Sequence, residues 1–529
     1  MNVNQQNSDM RNLEVPESFQ RGITALASFS ELMGGHDSLI VFERLRAQGA
    51  QGRELADSIC RFSNIADRLN SLAGDLSAVA GCQENLARIA SLFEKYLGPL
   101  KDPAQPNYKI STVQTGAGAG LSHILKYPAG SSRYLIDSRL PYHSGVSQKI
   151  VHGKGFEEGA VTEYAAMSLA NASFYSLMEN ILNRPTEVGP QQVSADQNPY
   201  LISLGLTAAT ATARERRGQD HVWVAVRTLD GTFTAHVDLG KGQGQAERNR
   251  QDAACNVLGI NALLAVAGLP QLPMLDPLLT SEQLVPNPHG PGQVLCLKHV
   301  GIDPRVFEGP GPFFFKPNGE YVSDPQVVAE LLSKDFILFP GSSETLHFGH
   351  QEAARLAHER DCHDQLAANG GNAASVVPRE VLFEICADNF DPSKGHVSNE
   401  ELSRRVAQHA GSDWVVVTRQ VPLMVQKLKV FNQTKRIITG YDTAKRFIAP
   451  SSYALGDTQR DAILEEFREK GIKMYVMGRD EGGEFKTVRN LDIPEQYRGL
   501  FVELEGRHQI SSTALRDLKR RLSVEDSRA

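Results

Sequence analysis

From Asp335 onward the chain alternates short apolar runs with stretches of helical spacing. The runs 336–339, 381–386, 414–418, 436–439, 474–477 and 500–504 are strand-length and unbroken, whereas 346–360, 399–409, 421–431, 458–470 and 512–521 repeat their apolar positions at helical intervals. Ser398 and Glu401 stand three apart ahead of the second helical stretch, as a capping box requires. Strands separated by helices predict a parallel α/β sheet, whose ligands gather at the carboxyl ends of the strands.

A second alternating region precedes it. Strands are expected at 108–113, 134–141, 200–206 and 222–227, with a helix beginning inside 156–171. After the first of these strands comes Gln114-Thr115-Gly116-Ala117-Gly118-Ala119-Gly120, a small-residue turn that lets the backbone approach a phosphate or carbonyl. Further upstream, Ile59, Phe62, Ile65, Leu69, Leu72 and Leu76 recur every three or four residues, and the pattern resumes from Leu86 to Tyr96. These amphipathic helices either pack as a bundle on the next domain, the simpler expectation, or form a homo-oligomer interface. Residues 1–18 are polar and lack anchors. The stretch 269–334 is dense in proline and reads as a semi-rigid spacer, with a strand-like island at 292–300. The expected organisation is an N-terminal helical region (1–105), a central α/β domain (106–268), a Pro-rich connector (269–334) and a C-terminal α/β domain (335–525).

Composition narrows the function classes. The 529 residues are too many for one ordinary core, and 41% hydrophobic content supports globular domains. Lys and Arg number 55 against 62 Asp and Glu, for a net charge of −7 without a long basic block, which argues against nucleic acid as a partner. The six cysteines are scattered without a Cys-x-x-Cys spacing, and no run approaches the length of a membrane span. A reduced, cytoplasmic setting with no membrane contact is expected. Cys362 lies beside His363 and near His358, but without a second ligand pair no metal site is assigned.

Candidate chemistry concentrates at the two ends of the C-terminal region. Phe339, Pro340, Gly341 and Ser342 close a strand and feed a helix, a geometry that points backbone N–H groups at an anion. His347 and His350, three apart, share one helix face beside that turn. Near the C-terminus a strand leads into Ser511, Ser512 and Thr513, hydroxyls at a helix start, with Arg516 one turn in. Between them Lys427 projects from a helix beside the first, Gly440 and Asp442 follow a strand end, and Arg479 follows the next. The plainer reading of Asp442 is an N-cap.

FPGSSETLHFGH together with ISSTALR resembles the paired signatures of the HxGH nucleotidyltransferases, which comprise the nicotinamide or nicotinate mononucleotide adenylyltransferases and their cytidylyltransferase relatives. The resemblance covers about the last third of the chain and implies a doubly wound parallel sheet. It implies catalytic roles for His347, His350 and Arg516. Triphosphate contacts would come from Phe339, Pro340, Gly341, Ser342, Lys427, Gly440, Asp442, Arg479, Ser511, Ser512 and Thr513. Mg²⁺ would accompany the nucleoside triphosphate, ATP or CTP. The family's Trp after Gly-x-Asp is replaced here by Lys445, Arg446 and Phe447.

Residues 108–268 resemble the C-terminal domain of the CinA competence-damage family, whose characterised members are nicotinamide-nucleotide amidohydrolases. The matching landmarks are the small-residue turn, Pro-Ala-Gly-Ser-Ser at 128–132, Gly-Ala-Val-Thr-Glu at 159–163, the VWVAV strand, and Arg248 and Arg250 ahead of an Ala-rich helix. Where the family has Glu-Ser, this chain has Gln114-Thr115, so Thr115 would be the nucleophile only with Lys149 or Tyr142 as base. The two resemblances together imply a nucleotidyltransferase of NAD metabolism acting on a pyridine mononucleotide. A cytidylyltransferase acting on a phosphomonoester, and a non-catalytic pyridine-nucleotide sensor with a degenerate amidase domain, stay open as alternatives.

Overall fold

The computed structural model describes residues 91–521 except 92, 152–154, 183–198, 214–216, 289, 389–395, 482–483, 507–514 and 516. The amphipathic helices expected upstream of residue 91 lie outside the described residues, as do Ser511, Ser512, Thr513 and Arg516. Among the described residues no helix is long and apolar enough to cross a membrane. The chain is mixed α/β and divides into two compact units. One gathers the described parts of 1–144 with 206–224 and 235–298, and the other those of 145–205, 225–234 and 299–529. The region 106–268, expected as a single domain, therefore contributes to both.

Its elements run β1 (Asn107–Thr115), α1 (Leu121–Lys126), β2 (Leu135–Arg139), α2 (Ser144–Ile150), α3 (Glu163–Leu182), β3 (Pro199–Ala209), β4 (His221–Arg227), β5 (Thr232–Asp238) and α4 (Gly244–Val266). The strands join a six-stranded sheet of order β2-β1-β3-β4-β5-β8, in which β1 and β2 are parallel. β5 has no counterpart in the sequence reading, because polar Thr232, Thr234 and His236 interrupt its apolar run. α3 is buried around most of its circumference. Its small side chains permit close approach: a Cβ added to Gly205 of β3 would lie 2.1 Å from the Ala166 carbonyl oxygen. Arg248 and Arg250 fall within α4 rather than ahead of it.

The Pro-rich stretch is not a bare spacer. It forms β6 (Leu284–Pro286) and β7 (Gln293–Leu295), an antiparallel pair, then β8 (Lys298–His299), β9 (Phe313–Phe315) and helix α5 (Pro325–Leu332). The expected island at 292–300 is thus split, β7 pairing with β6 and β8 taking the edge of the six-stranded sheet. Prolines bound these short elements instead of excluding them, which a count of breakers cannot distinguish from a spacer. α5 starts with Asp324 accepting from the Gln326 N–H and with Pro325 at its first position, where the missing N–H costs nothing.

The remaining elements are β10 (Ile337–Gly341), α6 (Phe348–Ala368), β11 (Val381–Cys386), α7 (Asn399–Ala407), β12 (Trp414–Thr418), α8 (Met424–Val430), β13 (Arg436–Gly440), α9 (Tyr441–Ile448), α10 (Gly456–Glu469), β14 (Lys473–Met477), the hairpin β15 (Arg479–Glu481) and β16 (Glu484–Lys486), and β17 (Phe501–Leu504). They build a seven-stranded sheet of order β17-β14-β13-β10-β11-β12-β9. Its neighbouring strands are parallel except at the edge, where Phe313, Phe314 and Phe315 of β9 run antiparallel to β12. The C-terminal sheet therefore begins before residue 335. Apolar side chains cover both faces, as a parallel sheet requires: by register Leu338, Leu382, Val416, Ile437 and Met474 are buried on one face, and Ile337, Phe383, Val415, Ile438 and Tyr475 on the other.

Candidate functional site

The order of the seven-stranded sheet sets where a ligand fits. The first parallel strand, β10, is central; β11 and β12 are laid down on one side, after which the chain crosses back to place β13, β14 and β17 on the other. The reversal makes the β10/β13 boundary a topological switch point, and crevices form there at the carboxyl ends. The register displays that opening. β10 pairs with β11 along its whole length, Ile337↔Val381 to Gly341↔Ile385, but with β13 only at Ile337↔Arg436 and Leu338↔Ile437. Both strands continue to a terminal glycine after the pairing stops. A Cβ placed on Gly440 would meet nothing within 4 Å, and one on Gly341 only the Ser343 nitrogen at 3.9 Å. With Gly440 at φ −80°, neither packing nor a left-handed backbone accounts for glycine there.

The opposite ends of the strands are locked. Asp361 of α6, fully buried, accepts 2.8 and 3.1 Å bonds from Arg379 and a 3.2 Å bond from Arg436 Nε. Arg379 also donates to Asp335 at 2.6 Å. These bonds tie the starts of β10, β11 and β13 together, while at the far ends β13 parts from β10.

On the β10 side, the loop after Gly341 carries Ser343 in the left-handed region, φ 44°. α7 and the residue after it hold this loop. Arg405 Nη1 donates to the Ser342 carbonyl (3.0 Å), Arg404 Nη2 to the Glu344 carbonyl (2.8 Å) and Gln408 Nε2 to the Ser343 carbonyl (3.0 Å), while Gln408 Oε1 accepts the Leu346 N–H (3.0 Å). Glu401 in turn binds both arginines, each at 2.7 Å. Burial disfavours its charge, yet the two guanidinium groups outweigh that and hold its carboxyl below the ordinary range.

His347 is the N-cap residue of α6, only 5% exposed, and His350 stands one turn in, with ring centroids 3.9 Å apart. His350 Nδ1 accepts the His347 backbone N–H at 3.3 Å. In a neutral ring an accepting Nδ1 leaves the proton on Nε2, so His350 presents an Nε2–H donor. Phe339 braces the pair: its ring is 5.9 Å from that of His350 and stacks on Phe383 at 4.9 Å. Pro340 is part-buried, and Ser342 is exposed at the loop.

On the β13 side Asp442, in the first turn of α9, forms an ion pair with Arg479 at the start of β15. Both are substantially exposed. Lys427 is placed differently from the sequence expectation of a phosphate contact. Its ammonium is buried on α8 and bonded to both oxygens of Glu384 at 2.7 Å, Glu384 also accepting from the Thr418 hydroxyl. Nothing in the sequence singles out Glu384, Arg404, Arg405 or Gln408: the capping box at Ser398 marks the start of α7 but not which of its side chains reach the loop.

Of the residues expected for an amidase-like site, Arg248 and Tyr142 lie together. Arg248 Nη2 lies 3.4 Å from the exposed Tyr142 hydroxyl, with Nη1 on the Ala211 carbonyl at 3.2 Å. Arg250 is committed to structure, bonding Glu247, Asp276 and the Leu239 carbonyl. Lys149 is exposed on α2 and belongs to the other compact unit. Thr115 ends β1. The small-residue turn beyond it, expected to receive a phosphate or carbonyl, already holds a carboxylate: Asp252 Oδ1 accepts the Gly118 N–H at 2.8 Å and the Ala119 N–H at 3.4 Å. Its tightness has a cause, since a Cβ on Gly116 (φ 82°) would fall 2.0 Å from the Ala208 carbonyl oxygen. Gln114 is fully buried, donating to Thr112 Oγ1 at 2.6 Å, and its Oε1 has no hydrogen-bond partner among the described residues.

No protein-family model and no curated protein matches the chain. Solved structures similar to part of it include the competence/damage inducible protein CihA from Agrobacterium tumefaciens, at 16% identity over 34% of this chain and 94% of that one, TM-score 0.24. A competence-damaged protein (CinA) superfamily protein from Escherichia coli is similar at 16% identity, covering 34% of this chain and 88% of its own, TM-score 0.23. A competence or damage-inducible protein from Enterobacter asburiae is 15% identical, covering 34% and 98%, with a TM-score of 0.23.

Proposed function

We propose that the crevice between β10 and β13 transfers a nucleotidyl group from a nucleoside triphosphate to a phosphate-bearing acceptor, releasing pyrophosphate. The observation that carries this reading is the splay of β10 from β13 after Leu338 and Ile437, with His347 and His350 at the head of α6 on one side and Gly440 on the other. An acceptor phosphate oxygen attacks the α-phosphorus in line, and the α–β bridging bond breaks with its electron pair leaving on pyrophosphate. No protein nucleophile is needed, so rate comes from positioning and from neutralising charge. The His350 Nε2–H and the positive end of α6 would supply that neutralisation. Gly341 and Gly440 allow backbone to come close to the nucleotide, and Arg479 supplies a cation at the β13 side once Asp442 is engaged elsewhere. Ser511, Ser512, Thr513 and Arg516 would receive the pyrophosphate, and Mg²⁺ enters with the triphosphate as part of the substrate.

The favoured pair is ATP with a nicotinamide or nicotinate mononucleotide, because both sequence resemblances concern pyridine nucleotides. Region 106–268 then binds without hydrolysing, a reading favoured by the non-ionisable Gln114 and by Asp252 filling the turn. The test is a pyrophosphate-release screen crossing ATP and CTP with both mononucleotides and simple phosphomonoesters. Release with CTP and a phosphomonoester alone would replace the acceptor and base; release with none would leave a nucleotide sensor.

A further inference from the structure

We propose that Arg404, Arg405 and Gln408 are positioning residues that turn the loop 342–346 so that its amide N–H groups, not its carbonyls, face an incoming triphosphate. The proposal rests on the nucleotidyl-transfer reading of the β10/β13 crevice. Three consecutive carbonyls, those of Ser342, Ser343 and Glu344, are each bound by a different side chain from the α7 segment. A trans peptide is planar, and its N–H points opposite to its C=O. Drawing these three oxygens toward α7 therefore aims the N–H groups of Ser343, Glu344 and Thr345 the other way. Successive amides pointing together form an anion-binding concavity, and one residue in the left-handed region is what bends the chain into it. Ser343 at φ 44° is that residue. Such a backbone is strained for a residue with a Cβ, so it persists where surrounding bonds over-determine it.

Gln408 is the central clamp because both ends of its amide are used. Oε1 takes the Leu346 N–H at 3.0 Å and Nε2 binds the Ser343 carbonyl at 3.0 Å and the Glu344 carbonyl at 3.3 Å, all with the side chain 3% exposed. The clamp is itself braced. Just beyond Gln408, the carbonyls of Ala410 and Gly411 accept from Asn171 Nδ2 (2.8 Å) and Ser168 Oγ (2.6 Å) of α3. Gly411 sits at φ 95° with so little room that a Cβ would lie 2.7 Å from Met167 Cβ. The segment that shapes the loop is thus fixed to a second helix.

Gln408→Glu tests the assignment in the full-length protein. The isosteric carboxylate still accepts from Leu346 but cannot donate, and it opposes the Ser343 and Glu344 carbonyls. Two readouts are taken, binding of inorganic tripolyphosphate by calorimetry and amide hydrogen exchange of the 340–347 peptide. With the melting curve unchanged, the expected result is about a tenfold weaker affinity together with about tenfold faster exchange, the scale of one lost buried hydrogen bond. Arg405→Gln, altered at a more accessible clamp, should shift both in the same direction by less. Faster exchange with unchanged affinity would make the clamp structural only and overturn the proposal, as would weaker affinity with unchanged exchange. A wild-type protein that binds neither tripolyphosphate nor ATP nor CTP would overturn the nucleotidyl-transfer reading first, and the positioning role with it.

Discussion

His350 shows how a backbone contact sets the chemistry of a side chain. Because Nδ1 accepts the His347 N–H, the proton that can reach a phosphate oxygen is on Nε2 without any carboxylate partner being required. His350→Ala should then lower pyrophosphate release by about 10²-fold or more while leaving the fold intact, since it removes a preorganised donor. Unchanged release from a folded variant would take the histidine pair out of the reaction. Glu401 sets a pH limit on the same loop. Its carboxyl is held below the ordinary 4.5, so its contribution to stability is present above that value and is lost as pH falls through the lowered one. Protonation releases Arg404 and Arg405, which hold the loop carbonyls. Melting temperature should therefore fall more steeply between about pH 5 and pH 3 in the wild type than in Glu401→Gln. Equal slopes would disconnect Glu401 from acid sensitivity.

At the scale of elements, β11 and β12 buried a charge that a parallel strand would ordinarily avoid. Glu384 and Lys427 have side chains 0% and 7% exposed and bond through both carboxylate oxygens. Removing one partner strands the other in the interior, so Lys427→Met should destabilise the seven-stranded unit by about 3–5 kcal/mol. Lys427→Met with Glu384→Leu should recover most of it, because the desolvation cost disappears with the pair. Urea unfolding in a Trp223→Phe background, where Trp414 on β12 is the remaining tryptophan, reads this unit; a double variant no better than the single one would contradict the account. The same strands show what was legible in the sequence. β11 and β12 fall at the expected 381–386 and 414–418, because continuous apolar runs between helices permit little else. β9 was not legible: three phenylalanines set close to Pro312 and Pro317 look like a linker until β12 offers an edge. Nor was the clamp, since Gln408 meets Ser343 and Leu346 from 65 and 62 residues away, and periodicity describes one element at a time.

At the scale of the whole molecule, the chemistry of region 106–268 predicts that it adds no second reaction. Hydrolysis of a nicotinamide amide at Thr115 needs a base to take the hydroxyl proton and donors to hold the oxyanion. Gln114, beside it, does not ionise in the working range, and its Nε2 donates to Thr112 Oγ1 at 2.6 Å. The turn that follows could have supplied backbone donors, but the Gly118 N–H is taken by Asp252 at 2.8 Å, so the oxyanion would meet a carboxylate instead. Thr115 also carries a β-methyl that narrows its rotamers. Against these, Tyr142 is exposed and Arg248 lies 3.4 Å from its hydroxyl, an arrangement suited to gripping a phosphate rather than to removing a proton. The full-length protein should bind nicotinamide mononucleotide yet release no ammonia from it above background, and Arg248→Ala should weaken that binding. Because the region contributes to both compact units, the whole chain is the right reagent rather than a fragment cut at 106 and 268. Steady ammonia release that disappears in Thr115→Ala would reverse the conclusion and make this a protein of two activities.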